Sequence, residues 1–107
     1  MKLEILMSCM HQSDDFLVRQ ARITGDVVVI NQCDREDYAG FPTANGMARI
    51  FSTCQRGLTK SRNMAIRNAR ADICLVCDDD EVFVADYEQV ILRAYQDFPQ
   101  ADVIIFK

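Results

Sequence analysis

The 107-residue chain reads as an α/β protein built on an open, largely parallel sheet flanked by helices. Three observations carry that reading. Apolar runs of strand length alternate with amphipathic stretches of helical period along the whole chain. The clearest run, "DVVVIN", is continuous rather than alternating, as expected of a strand covered on both faces. No repeat and no low-complexity linker interrupts the order, so residues 1–107 form one domain with a single core.

Leu3 to Cys9 is the first strand, apolar-rich and free of helix stop signals. The polar "HQSDD" follows, with Ser13 and Asp14 as N-cap residues for a helix that aligns Phe16, Leu17, Gln20 and Ala21 and ends near Gly25. "DVVVIN" is the second strand. "CDREDYAGFPTANGMA" holds glycine turn signals and Pro42, which predict a loop. "RIFST" is a third strand, "GLTKSRNMAIRNAR" a helix capped by Thr59 or Ser61, and "DICLVC" a fourth strand, read as buried. In the last helix Asp86 caps and Gln89 returns the bond, Tyr87, Val90, Ile91, Ala94, Tyr95 and Phe98 share a face, and Pro99 stops the run. "DVIIF" then starts a fifth strand.

Composition narrows the function. Half the residues are apolar and 26% are charged, a balance that folds as a globular protein. The formal net charge of −4 argues against a nucleic-acid partner, whose footprint is basic. No apolar run reaches the roughly 20 residues of a membrane span, and the N-terminus turns polar too early for a signal peptide, so a cytoplasmic location is expected. Five cysteines, an odd number spread over strands, suit a reducing compartment as small apolar fillers. Cys74 and Cys77 would face opposite sides of a strand and cannot chelate one metal.

The chemistry concentrates where the fourth strand meets "DDDEV". In open α/β sheets ligands bind beyond the carboxyl ends of the strands. Carboxylates crowded there are held by a hard divalent cation, Mg²⁺ or Mn²⁺, with water and substrate phosphate completing the shell. Strand alternation puts Asp78 and Asp80 on one side and turns Asp79 away, to solvent or nearby backbone. The basic "RGLTKSRN" opens a helix and offers Lys60, Arg62 and free N–H groups to a phosphate. Each feature also has a plainer reading: a solvated aspartate turn, a solvent-facing basic helix surface, and a lone loop histidine at His11.

Together "GLTKSRNMAIRNARADICLVCDDDEVFVADY" resembles the central signature of family 2 glycosyltransferases of the GT-A fold: a Gly, Arg-Asn, a short helix, a strand, then D-x-D followed by an apolar stretch and an acidic-aromatic pair. The resemblance implies the N-terminal, donor-nucleotide-binding part of such an enzyme. It implies that Arg62 and Asn63 lie in the segment holding the nucleotide, that Asp78 lies near the ribose or metal, and that Asp80 is the main metal ligand. The donor would be a UDP- or GDP-sugar and the acceptor is unknown.

Two segments depart from the family pattern. "SCMHQ" replaces the usual Pro and Asn after strand one, which leaves Ser8, His11 and Gln12 as positional candidates. "NQCD" replaces adjacent aspartates after strand two, and the resemblance implies that Asp34 would take their nucleobase role. The family's catalytic base lies well downstream of D-x-D. Here only Asp97 and Asp102 follow Tyr95 as carboxylates, so the chain reads as a truncated domain with its base unknown and with an edge that a second copy would cover as a homo-oligomer. "DDDEV" also fits the D-x-D-x-V loop of haloacid dehalogenase-like phosphatases, with Asp78 as nucleophile and Asp80 as acid/base, although three strands precede it where that loop follows the first. A non-catalytic nucleotide-binding or interaction module is the third alternative.

Overall fold

The computed structural model describes residues 2–101. β1 (Leu3–Met10), α1 (Phe16–Gln20), β2 (Asp26–Gln32), β3 (Asp37–Pro42), β4 (Met47–Thr53), α2 (Leu58–Asn68), β5 (Ile73–Cys77) and α3 (Tyr87–Asp97) follow in chain order. The five strands form one sheet in the order β3-β4-β2-β1-β5. All neighbours run parallel except β3, which pairs antiparallel with β4. The open, largely parallel α/β sheet read from the sequence is therefore present.

Helices cover both faces, which is why the central strands are apolar throughout. On one face Ile5, Met7, Val27, Val29 and Ile50 meet Val18 and Ala21 around α1 and Tyr87 and Ile91 of α3. On the other, Leu6, Val28 and Ile30 meet Ala65 of α2, with Met64 and Phe51 alongside. α3 is tied to the turn before β2, where the Gly25 N–H donates to the Tyr87 hydroxyl at 3.1 Å. A buried ion pair holds the far end of α2: Arg49 of β4 donates through Nη2 to Glu4 Oε2 and to the Asn68 carbonyl, both at 2.8 Å, while Glu4 Oε1 accepts from the Arg70 N–H.

Several expectations need correction. The predicted loop after strand two contains β3, which forms a hairpin with β4 across "TANG". Pro42 is tolerated because β3 is the edge strand and its partner lies on one side only. A Cβ on Gly46 would come within 2.9 Å of the Gly25–Asp26 backbone at the start of β2, which explains the glycine in this turn. Val18 of α1 and Ala21 at its C-cap face the core, with Leu17 packed against it as expected, whereas Phe16 and Gln20 are exposed. Its entry is an Asx turn, Phe16 N–H to Asp14 Oδ1 at 2.8 Å, with Asp15 in the cap position.

α2 starts earlier than predicted. Its cap is Gly57 at φ +106°, neither Thr59 nor Ser61, and no side chain caps it. Asp86 does occupy the cap position of α3, without a side-chain cap bond, and Val90 and Phe98 point outward rather than into the core. β5 is an edge strand of the described sheet with Val76 46% exposed, so it is not fully buried. Cys9, Cys33 and Cys77 are buried fillers, but Cys54 and Cys74 are exposed. The expected strand "DVIIF" lies outside the described residues.

Candidate functional site

Parallel strands bring their carboxyl ends to one edge, and a cavity of ≈ 590 Å³ opens there. Ser8, Cys9 and Met10 of β1 and Gln32 of β2 line it from below, Arg56, Gly57 and Leu58 from the entry to α2, and Asp78, Asp79 and Asp80 from the segment after β5. A second cavity of ≈ 410 Å³ sits at the opposite edge around Lys2, Glu4, Arg49 and Arg70. The buried charges there are already paired with each other, so the chemistry sits at the carboxyl edge.

Short polar contacts hold the cavity walls. Gln32 Nε2 donates to the Gly57 carbonyl at 2.9 Å. Ser61, buried inside α2, donates through Oγ to Ser8 Oγ at 2.6 Å and pins the first turns of the helix to β1. Fully buried Asn31 clamps the turn after β1: its Oδ1 accepts from the Gln12 N–H at 3.0 Å, and its Nδ2 donates to the Gln12 carbonyl at 2.7 Å and to Ser52 Oγ at 3.1 Å. That clamp holds His11 at φ +56°. The exposed Glu36 accepts from the Cys54 N–H on the other side.

β5 ends at Cys77 and the chain turns at Asp79 and Asp80, so strand alternation does not extend across the triplet. All three aspartates line the cavity, and Asp79 and Asp80 also reach a smaller one, ≈ 320 Å³, beside Leu17 and Gln20. The expectation that Asp79 faces away from Asp78 and Asp80 is thus not met. The turn is braced by the Asp78 N–H donating to Glu81 Oε1 at 3.4 Å. Arg62 Nη2 lies 3.7 Å from Asp78 Oδ1, an exposed pair of small energetic weight that brings α2 against the aspartates.

Of the residues singled out in the sequence, Asp78, Asp80 and Ser8 line the cavity and Arg62 contacts it through Asp78. Lys60 and Asn63 are exposed on α2, and Asp34 is exposed beyond β2; none of the three lines it. Asn31 holds the Gln12 backbone while the Gln12 side chain donates through Nε2 to the Met10 carbonyl at 3.1 Å, and His11 is exposed. Gln32, Arg56 and Gly57 were missed. A glycine directly before a helical stretch was the available signal for the last, since it permits the positive φ at the cap.

Two buried thiols lie at the site, Cys9 in the cavity lining and Cys77 directly before the aspartates. Burial, followed by the nearby Asp79, pushes Cys9 up to about 12, and burial with Glu81, Asp78 and Asp79 pushes Cys77 up to about 12. Both stay protonated at neutral pH and supply no thiolate nucleophile. Among the described residues no group of three or more His, Cys, Asp or Glu side chains gathers as a self-sufficient metal site. What remains is a pair or triplet of exposed carboxylates, hard oxygen donors that match a cation sharing its shell with water and phosphate.

The chain matches a family model described as Glycosyl transferase family 2 over residues 18–106. No curated protein and no solved structure matches it. The matched span runs from α1 through the aspartates and α3, while β1 and the "SCMHQ" turn, where the sequence departs from the family pattern, precede it. "DDDEV" follows β5, the last strand of the described sheet in chain order, which is not the position of a phosphatase nucleophile loop.

Proposed function

This chain belongs to glycosyl transferase family 2, and we propose that it binds the nucleotide diphosphate of a UDP- or GDP-sugar in the carboxyl-edge cavity for transfer of the sugar to an acceptor. One observation carries the proposal: the aspartates after β5, the open start of α2 and Arg56 face the same cavity. That arrangement supplies anionic metal ligands on one wall and cationic, N–H-rich phosphate partners on the other.

Asp80 and Asp78 would hold Mg²⁺ or Mn²⁺, with Asp78 also toward the ribose. When bound, the cation would offset the charge of the diphosphate leaving group. The free N–H groups of Leu58, Thr59 and Lys60 at the start of α2 attract phosphate oxygens, and Lys60, Arg62 and Asn63 are the side chains proposed to approach the nucleotide from the helix. Asp34, past the end of β2, is proposed to meet the nucleobase. No helix among the described residues is long and apolar enough to cross a membrane. Five free cysteines, three of them buried, support a reducing, cytoplasmic setting.

Titration calorimetry with UDP and GDP, each with and without Mg²⁺, tests the reading. Metal-dependent binding by the wild type that is lost in Asp80→Asn is the expected result. Absence of any binding at millimolar nucleotide by a folded sample refutes it.

A further inference from the structure

We infer that Gln32 is a positioning residue for the nucleotide site, setting the orientation of the Gly57 peptide and with it the N–H groups that open α2; the inference rests on the donor-binding reading above. Gln32 closes β2 at the centre of the sheet, in register with Met10 of β1 on one side and Thr53 of β4 on the other. Its side chain is buried, 6% exposed, yet lines the cavity. A carboxamide held between two neighbouring strands has little freedom, so its Nε2 presents a fixed donor to the Gly57 carbonyl at 2.9 Å.

Gly57 needs such a partner. It sits at φ +106°, no side chain caps α2, and a Cβ added there meets nothing within 4 Å, so packing does not hold it. Its carbonyl accepts twice, from the Ser61 N–H at 3.1 Å as the first helical bond and from Gln32. The other hydrogen bonds of Gln55 and Arg56 stay local: Gln55 N–H to Thr53 Oγ1, and Arg56 Nη1 to the Cys54 and Gln55 carbonyls. Among the described residues, then, Gln32 is the side chain that fastens the Gly57 peptide to the sheet. Fixing that carbonyl downward turns the N–H groups of the next residues toward the cavity where an anion would sit.

Two variants test this. Gln32→Met removes the donor and keeps the volume. In the ligand-free chain the Ser61 amide should then exchange with solvent about tenfold faster, while amides of the β1–β2 ladder keep their wild-type rates. Unchanged exchange at Ser61, or an equal acceleration everywhere, overturns the inference. Gln32→Glu gives the sharper readout. A carboxylate repels the Gly57 carbonyl, whereas the protonated acid donates to it as the amide did.

Burial raises the introduced carboxyl above the ordinary value of about 4.3, so affinity for UDP and GDP with Mg²⁺, expressed relative to wild type at each pH, should be about tenfold weaker at pH 8, a factor equivalent to 1.4 kcal/mol, and recover toward wild type as the pH is lowered to 5. A flat ratio in a wild type that binds overturns the positioning role alone. A wild type that binds neither nucleotide overturns the donor reading and this inference with it. A merely structural glutamine would lower the melting temperature without producing the pH-dependent recovery.

Discussion

Replacing Glu4 with alanine should cost about 3–5 kcal/mol of folding stability, the usual penalty for stranding one member of a buried ion pair. The side chains of Arg49 and Glu4 are 9% and 5% exposed and meet at 2.8 Å. Glu4→Ala leaves the Arg49 guanidinium in that place with only the Asn68 carbonyl as an acceptor, and it orphans the Arg70 N–H as well. The double variant Glu4→Leu, Arg49→Met removes both charges and should lose only about 0–2 kcal/mol, because apolar replacement of a buried pair is often close to neutral. With Glu4→Leu and Arg49→Met as the single variants, each of which leaves one buried charge unpaired, the coupling energy between the positions should exceed about 2 kcal/mol. Urea denaturation followed by circular dichroism measures all four members of the cycle, with a constant m-value as the check on two-state behaviour. A single variant that loses less than about 1 kcal/mol, or a double variant equal to the sum of the singles, refutes the claim that this pair anchors the far end of α2 to the sheet.

Further outcomes follow from particular residues. Asn31→Ala strands the Gln12 N–H and the Ser52 hydroxyl and should cost about 2–4 kcal/mol, read as a fall in melting temperature. Gly57→Ala meets no atom but must adopt φ +106°, so it should lose about 1–3 kcal/mol from backbone strain alone, measured by denaturation, and weaken nucleotide binding in calorimetry. A thiol reagent should label Cys54 and Cys74 in the native chain and all five cysteines only after unfolding, as counted by mass spectrometry. Cys9 and Cys77 have folded values near 12 against 9.0, so their contribution to stability is intact below pH 9 and falls above it as the unfolded chain loses these protons first. The decline should approach about 1.4 kcal/mol per pH unit per thiol and be shallower in a Cys9→Ala, Cys77→Ala variant.

The parallel strands were legible because burial on both faces leaves a short continuous run of apolar, β-branched residues, as in Val27 to Ile30. β3 was not, because an edge strand with one partner has no such requirement. Its sequence "DYAGFP" carries a glycine and a proline that read as loop signals, and the Asn45-Gly46 dipeptide that argues for a hairpin was read with them. Within the site the aspartates announced themselves by charge and position. Gln32 and Asn31 did not, since a polar residue at a strand end looks exposed until the fold buries it and every donor finds its acceptor. The misplaced start of α2, expected at Thr59 or Ser61, has a related cause: the cap is a backbone conformation at Gly57, while one of the two hydroxyls expected to cap, Ser61, is spent on Ser8 of β1.

β3 also gives the sheet a direction of growth. A six-residue antiparallel strand with exposed Asp37 at one end and Pro42, which has no N–H to offer, at the other is a poor template for a passing strand. It works as a gatekeeper against edge-to-edge aggregation on that side. Of the two edges of the described sheet, β5 is the one with an apolar, proline-free rim, so an added strand has a thermodynamic reason to arrive next to the aspartates rather than at β3, on the order of four strand spacings of about 4.8 Å away across the sheet.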